Sequence, residues 1–432
     1  MLSEWQTLTL AQAGITLIDC DHRTPPPAPH GYPYIAIPQL KDGHLDLADV
    51  RLISEEHFAD WTRKLLPKAH DVIVVRRCNS GDSAVVPEGL QCAIGQNLVV
   101  LRADGTYVRP RFLRWLVRGD QWWEQVRKYI NVGAVFDSLK CRDIPNFELL
   151  VPPTTVQDQI CDSLEALDDR ITLLRRTNAT FESIARAIFK SWFINFDPVR
   201  AKADGREPEG LDAATAALFP AEFEESELGL IPKGWQVAKL GDICGNPRVQ
   251  AKPDHVPPET PYIGLEHMPR KSIALDASGT AEGLGSAKFW FERDDVLFGK
   301  LRPYFHKVGL APRRGICSTD ILVLRPTTPD WLGFLAMHAS SDALIAHTTQ
   351  HSNGARMPRT SWQDIHAFKV ALPPARLATA FNEVVTPLFE RLYVNIELAA
   401  QLSQARDALL PRLMSGTLRL PEAQEQPVES LI

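Results

Sequence analysis

The sequence lacks the features that mark several large protein classes. No apolar run in its 432 residues approaches the ~20 that a membrane span needs. The opening stretch, MLSEWQTLTLAQAG, has no basic segment followed by an apolar core, so it does not read as a secretory signal. The 7 cysteines, at positions 20, 78, 92, 141, 161, 244 and 317, form no C-x-x-C and are odd in number. A reduced, cytoplasmic protein without disulfides or a cysteine zinc site is expected. A basic surplus is missing too. Lys and Arg total 47 against 53 Asp and Glu, a formal net charge of −6, which argues against a chain that holds nucleic acid by bulk charge.

Catalytic signatures are equally absent. A metal nuclease of the PD…(D/E)-x-K kind needs a carboxylate two residues before a lysine, and no lysine here has one. The nearest approach to a P-loop, Gly299-Lys300-Leu301, lacks both the first glycine and the hydroxyl residue. Gly279, Gly283 and Gly285 do not have dinucleotide-binding spacing and read as a surface loop. Neither N-P-P-[YFW] nor G-x-S-x-G occurs. His347 and His351 stand four apart, as two ligands on a helix face would, but no Glu follows His347 and no third ligand is in view. No metal site and no catalytic residue are expected, and the pattern points to a binding protein.

What the chain does have is a repeat. Trp5-Gln6 recurs as Trp235-Gln236, Tyr34–Ile37 as Tyr262–Leu265, and Asp71–Ile73 as Asp295–Leu297. Leu98–Arg102 recurs as Ile321–Arg325, Phe112-Leu113 as Phe334-Leu335, and Asn131, Gly133 and Ala134 as Asn353, Gly354 and Ala355. Pro152-Pro153 closes the first copy and Pro373-Pro374 the second. The shared order makes a duplication of individually weak matches. Each copy contains short β-branched runs (DVIVV, NLVVLR; DVLF, DILVLR) of strand character.

A helical pattern follows each proline pair. Ile160, Leu164, Leu167, Ile171, Leu174, Phe181, Ala185 and Ile188 form a heptad seam interrupted at Asn178. Phe381, Val385, Leu388, Leu392, Ala399, Leu402, Leu409 and Leu413 form another, interrupted at Asn395 and Arg406. Such seams must be buried against a partner helix. If the copies are related by a pseudo-twofold axis, the helices run antiparallel, and Asn178 and Asn395 meet near their midpoints as a register-fixing pair. Pro387 predicts a bend in the second helix, or a long run that starts just after it.

The expected fold is therefore α+β: two β-rich domains separated by two long antiparallel helices. The divisions fall at 1–153, first domain; 154–196, first helix; 197–234, acidic linker; 235–373, second domain; 374–418, second helix; and 419–432, tail. Segment 197–230 alone carries 3 basic residues against 9 carboxylates, which matches the whole acidic excess of the chain.

Five motifs carry a family resemblance: Ile171–Phe196 (ITLLRRTNATFESIARAIFKSWFINF), Asp197–Lys202 (DPVRAK), Ser226–Trp235 (SELGLIPKGW), Leu301–Tyr304 (LRPY) and Arg406–Leu418 (RDALLPRLMSGTL). From Trp5 to about Leu420 the chain resembles the DNA-specificity subunits of type I restriction-modification systems. The resemblance implies two target-recognition domains that read the halves of a split, asymmetric target on double-stranded DNA, with the helices as spacer. It implies a subunit without catalysis, two methyltransferase subunits and motor-nuclease subunits as partners, and S-adenosylmethionine, ATP and magnesium on those partners rather than on this chain. The first domain lacks the K-L-R-P-Y string of the second, as expected of domains that read different half-sites.

Base reading needs Arg, Lys, Asn, Gln or Ser on exposed loops. In the first domain the candidates are Arg76, Arg77, Asn79 and Ser80, and then Lys128, Tyr129 and Asn131. In the second, Lys300, Arg302, Tyr304, His306 and Lys307 occupy the place of the first loop, and Ser352, Asn353, Arg356 and Arg359 that of the second. Trp192, Phe193, Phe196 and Pro198, at the end of the first helix, are candidate partner contacts, with core packing as the alternative reading. Three rival functions remain open: an enzyme with an unrecognised site, a coiled-coil scaffold without DNA preference, and the specificity protein of another defence-type methylation system.

Overall fold

The duplication seen in the sequence is repeated bond for bond in three dimensions. The computed structural model describes residues 5–132, 137–354 and 357–419. Gly133, Ala134, Ala355 and the candidate reader Arg356 lie outside that range. The chain divides into two units, residues 1–169 with 403–432, and residues 170–402.

In the first unit, strands Ile15–Asp19, Leu98–Ala103, Val72–Val75 and Ser83–Val85 form an antiparallel sheet in that order. The second unit repeats it with Cys244–Gly245, Ile321–Pro326, Val296–Gly299 and Val308–Leu310. A parallel pair comes next in each: Tyr32–Ile35 with Ala93–Ile94, and Pro261–Ile263 with Gly315–Cys317. The sheet around that pair has 3 strands in the first unit and 5 in the second, so the copies diverge at its edges. In each copy the first and last strands close on one another, Gln6–Thr9 on Glu148–Val151 and Gln236–Lys239 on Lys369–Leu372.

The sheets are fastened by the same ion pair, a buried carboxylate with a half-buried arginine. Arg102 donates from Nε and Nη2 to the two Asp71 oxygens at 2.8 and 2.6 Å. Arg325 does the same to Asp295 at 2.7 and 2.6 Å. Each carboxylate also accepts a backbone N–H, from Lys68 at 2.8 Å and from Glu292 at 2.7 Å. A buried carboxylate is tolerated when its lone pairs are filled in this way.

The long helices run Thr154–Phe189, 36 residues, and Ala375–Met414, 40 residues. Pro387 lies inside the second helix, which starts 12 residues before it and continues through; the expected late start is not observed. Pro387 sits on the exposed face, where the carbonyl it deprives of a partner can be solvated. In the first unit Ile160 and Leu164 share a core with Leu410, Leu413 and Met414. In the second, Ile171 and Leu174 pack on Ala399. Partner numbers fall along one helix as they rise along the other, so the helices pack antiparallel.

The seam is more polar than its heptads suggest. Leu167, Phe181 and Ile188 are only half-buried, while Asp168, Asn178 and Glu182 are buried. Asn395 Nδ2 donates to Asn178 Oδ1 at 2.8 Å, the expected pairing, and Asn178 Nδ2 reaches the Leu392 carbonyl at 3.4 Å. Glu182 accepts from Ser272 Oγ at 2.6 Å and from the Ile273 N–H at 3.0 Å. Arg406, which looks like an interruption in the sequence, is 1% exposed. Its Nη1 donates to Asp168 at 2.7 Å and its Nη2 reaches Asp42 at 3.2 Å. Arg114 Nη2 donates to the other Asp168 oxygen at 2.5 Å, and His44 Nε2 hydrogen-bonds that oxygen at 3.1 Å. Burial alone would raise the Asp168 pKa, but the His44 hydrogen bond, the Arg114 charge and the Arg406 hydrogen bond together hold it well below the ordinary value.

The sign of the pH effect follows. A carboxylate with a depressed folded pKa stabilises fully above its unfolded value, about 3.9, and loses that contribution as pH falls toward the folded value. Arg406→Met takes one charged partner from buried Asp168, which keeps Arg114 and His44, and should cost about 1.5–3 kcal/mol in denaturant unfolding. Asp168→Asn should flatten the loss of stability below about pH 4. Unchanged unfolding in the first variant would remove Arg406 as an anchor. Replacing Asn178 and Asn395 together by Leu should raise the melting temperature yet permit slipped registers. Disulfide trapping between Ile171→Cys and Ala399→Cys reads the slip as a fall in yield, and an undiminished yield would count against a register role.

Candidate nucleic-acid interface

Each repeat brings its two polar loops together by the same backbone bonds. In the first, Ser138 bridges both Arg77 and Asn131. The Arg76 N–H donates to the Asn97 carbonyl at 2.8 Å, the Leu139 N–H to the Arg76 carbonyl at 2.8 Å, and the Cys78 N–H to the Asp137 carbonyl at 3.2 Å. In the second, Arg359 bridges both Leu301 and Asn353. There the Lys300 N–H donates to Asp320 at 3.0 Å, Thr360 to Lys300 at 3.0 Å, and Arg302 to Pro358 at 2.7 Å. Arg76 thus corresponds to Lys300, Arg77 to Leu301 and Cys78 to Arg302. Cys78 and Arg302 share a left-handed backbone, with φ of 58° and 51°, a conformation non-glycine residues hold only when their surroundings fix it. Gly81, at φ 102°, has no such latitude: a Cβ there would stand 2.9 Å from Trp123 and Val126 atoms.

The candidate readers separate into three groups. Arg77, Asn79, Lys128, Tyr304, Asn353 and Arg359 are exposed, with Arg359 in an ion pair to Asp320 at 3.4 Å. Arg76, Tyr129, Asn131, Lys300, Arg302, Lys307 and Ser352 are half-buried. Several of these have local duties. Tyr129 stacks on Phe147 with centroids 5.2 Å apart, Asn131 Nδ2 donates to the Ser138 carbonyl at 3.4 Å, and Ser352 Oγ donates to Thr349 at 2.8 Å. Lys307 Nζ donates to the Leu265 carbonyl.

Ser80 and His306 are buried. Ser80 Oγ donates to the Arg76 and Asp137 carbonyls at 3.0 and 3.2 Å, tying one loop to the other. His306 Nε2 meets the Ser340 carbonyl at 2.9 Å, and burial pulls its pKa below the ordinary value. These two position the loops rather than project from them.

Each loop pair borders a groove. Asp19, His22, Arg76, Lys140 and Arg142 line the first, and Arg248, Lys300, Trp362 and Gln363 are among those that line the second. Apart from Arg76 and Lys300, none of these stands in the loops picked from sequence. The strand pairing that carries Asp19 and Arg248 beside those loops is long-range and has no local signal.

Known proteins share this architecture. No family model matches the chain. It is 24% identical over 381 residues to the type I restriction enzyme MjaIX specificity subunit of Methanocaldococcus jannaschii, covering 86% of this chain and 83% of that one. It is 22% identical over 372 residues to the HindI specificity subunit of Haemophilus influenzae, covering 75% and 81%. The crystal structure of a type I restriction-modification S subunit from M. genitalium superposes with a TM-score of 0.50 at 14% identity, over 95% of this chain and 96% of that one. Over most of its length the chain is similar to type I restriction-modification specificity subunits.

The aromatic cluster after the first long helix is core. Trp192 meets Phe219 and Phe381 at 5.3 and 5.7 Å, Phe193 meets Phe334 and Phe381 at 5.0 Å each, and Phe196 meets Trp235 edge-on at 5.5 Å. Pro198 is buried in the short helix Asp197–Ala203. None of the four offers a surface for partner contact. The exposed apolar side chains beside them are Ile194, Leu228 and Leu230. The acidic segment is folded rather than extended: it contains helices Asp197–Ala203 and Ala213–Ala217 and the hairpin Phe223–Ser226 with Gly229–Pro232.

Asp19, Cys20 and His22 can place one ligand atom each within 4.8 Å of one another. His22 turns Nδ1 toward Cys20 Sγ at 4.0 Å but Nε2 toward Asp19 at 3.1 Å. Burial and then the Asp19 charge push the Cys20 thiol up to about 11. A ring that turns a different nitrogen to each neighbour does not aim one donor with theirs at a shared ion. His347 and His351 bond backbone carbonyls, of Asp364 at 3.1 Å and of His347 at 2.8 Å.

Ser80→Ala should lower stability by about 1 kcal/mol through the lost ties between loops. Arg77→Ala, on an exposed side chain, should leave the melting temperature where it was. Equal melting shifts for the two would undo the division between positioning and projecting residues.

Proposed function

We propose that this chain is a specificity subunit that reads a split, asymmetric target on double-stranded DNA, one half per repeat, and carries no catalysis of its own. The observation that supports it most directly is the paired patch: two loops of exposed Arg, Lys and Asn, joined by the same bonds in both repeats. The copies present different side chains on one frame, as a protein needs in order to read two unlike sequences. Helices of 36 and 40 residues rise ~50–60 Å at 1.5 Å per residue, enough to space half-sites a helical turn of ~34 Å apart. Methyltransferase and motor-nuclease subunits complete the assembly and bring S-adenosylmethionine, ATP and magnesium. Ile194, Leu228 and Leu230 are among the exposed apolar contacts available to them.

Charge sharpens the division of labour. Residues 1–153 carry 17 basic and 18 acidic groups, and residues 235–373 carry 16 and 13. Neither repeat is strongly basic, so phosphate neutralisation falls largely to the partners.

Methylome mapping in cells that carry the subunit with its methyltransferase should return two half-sites and one fixed gap. Arg77→Ala and Arg302→Ala should each weaken recognition of a single half-site. The isolated chain should bind duplex weakly, lose it as salt rises, and neither methylate nor cut. Tight, salt-resistant binding by the chain alone would overturn the proposed division, and methylation at a single continuous site would overturn the bipartite reading.

A further inference from the structure

Beside the loop patch of each repeat lies a groove that the two copies share in frame and differ in lining. The first measures about 450 Å³ and the second about 260 Å³. One wall corresponds position by position, and the other by place in the chain. Leu139 and Thr360 make the same bond to Arg76 and Lys300. The next three residues are therefore equivalent: Lys140 and Ser361, Cys141 and Trp362, Arg142 and Gln363. On the opposite wall Thr16 pairs with Arg102 and Gly245 with Arg325. Three residues further on stand Asp19 and Arg248.

Four wall positions differ in chemistry, while Arg76 and Lys300 remain cationic on the same pair of backbone bonds. Packing gives no reason for this, because Lys140, Arg142, Arg248 and Gln363 are exposed. Arg76 turns a buried Nε, without a hydrogen-bond partner, beside the first groove. Asp19 is the one carboxylate among these wall positions, so both walls carry net positive charge toward a phosphate-rich ligand.

We infer that these grooves contact duplex base edges and that their differing walls make the two half-sites different sequences. The inference rests on the reading that each repeat binds DNA. In the first groove the guanidinium fork of Arg142 matches the O6 and N7 acceptors of guanine, with Lys140 beside it. In the second, the Gln363 amide matches the N6 donor and N7 acceptor of adenine, and Arg248 supplies a second fork. Trp362 adds an apolar face where the first groove has only Cys141.

The test uses the chain in complex with its methyltransferase, selected against duplexes randomised across both half-sites. Arg142→Ala should lower base discrimination roughly tenfold at one or two positions of one half-site and leave the other half-site intact. Gln363→Ala should do the same in the opposite half. Melting temperatures should stay at the wild-type value, since both side chains are exposed. Wild-type discrimination in both variants would overturn the groove assignment and leave the proposed function standing. A uniform loss of affinity at both half-sites would also overturn it, as that is the behaviour of a phosphate contact. A wild-type complex that selects no split sequence would overturn the proposed function and this inference together.

Discussion

The buried polar contacts along the two long helices are the constraint on which the rest depends. An apolar heptad seam is periodic, so a slip of one heptad replaces leucine with leucine at little cost. Asp168 and Arg406 in one unit, and Asn178 and Asn395 in the other, break that degeneracy. A slipped register would bury each without its partner, a penalty of several kcal/mol for the ions and about 1–3 kcal/mol for the amides. The stability of the pair comes from its apolar stripe. Its uniqueness comes from four polar side chains that a pure hydrophobicity count would score as defects.

A second constraint operates inside each repeat. The Asp71–Arg102 and Asp295–Arg325 pairs hold the central strands with the same bidentate geometry, and the loop-to-loop bonds follow the same numbering. A rigid frame of this kind separates two roles. Ser80 and His306 spend their polar groups on backbone carbonyls and so fix where the loops sit. Arg77, Asn79 and Asn353 keep their polar atoms exposed. Substituting a residue of the first group disturbs every reader at once, whereas substituting one of the second changes a single contact. That separation lets one scaffold support two different recognition surfaces.

The repeat, the two helices, their antiparallel pairing and the meeting of Asn178 with Asn395 were legible in the sequence because each leaves a periodic or duplicated mark. The two loops were legible because polar residues cluster there beside strands. Three things were not. Arg406 reads as a break in a seam, since its partners Asp42 and Asp168 are remote in the chain. Pro387 reads as a helix breaker, because the sequence does not reveal that it faces solvent. Trp192, Phe193 and Phe196 suggest a sticky surface, yet they fill the core against Phe334, Phe381 and Trp235, residues a hundred or more positions away or across the acidic segment. For Arg406 and the aromatics the deciding contact is long-range, and local pattern carries no record of it.

The same reasoning explains why net charge was misleading. A sum over 432 residues treats every carboxylate as equally placed, but 9 of them lie in residues 197–230, which form short helices and a hairpin rather than a recognition surface. Several others are consumed inside the protein: Asp71 and Asp295 by sheet arginines, and Asp168 by Arg114 and Arg406. A carboxylate already neutralised by a bidentate guanidinium repels a distant phosphate weakly, and that guanidinium contributes little free charge either. What a DNA backbone meets is the small remainder on the exposed loops and groove walls, which is basic in both repeats but modest. On the proposed function, a reader built this way discriminates between bases without gripping the duplex strongly, and the subunits it recruits complete the affinity.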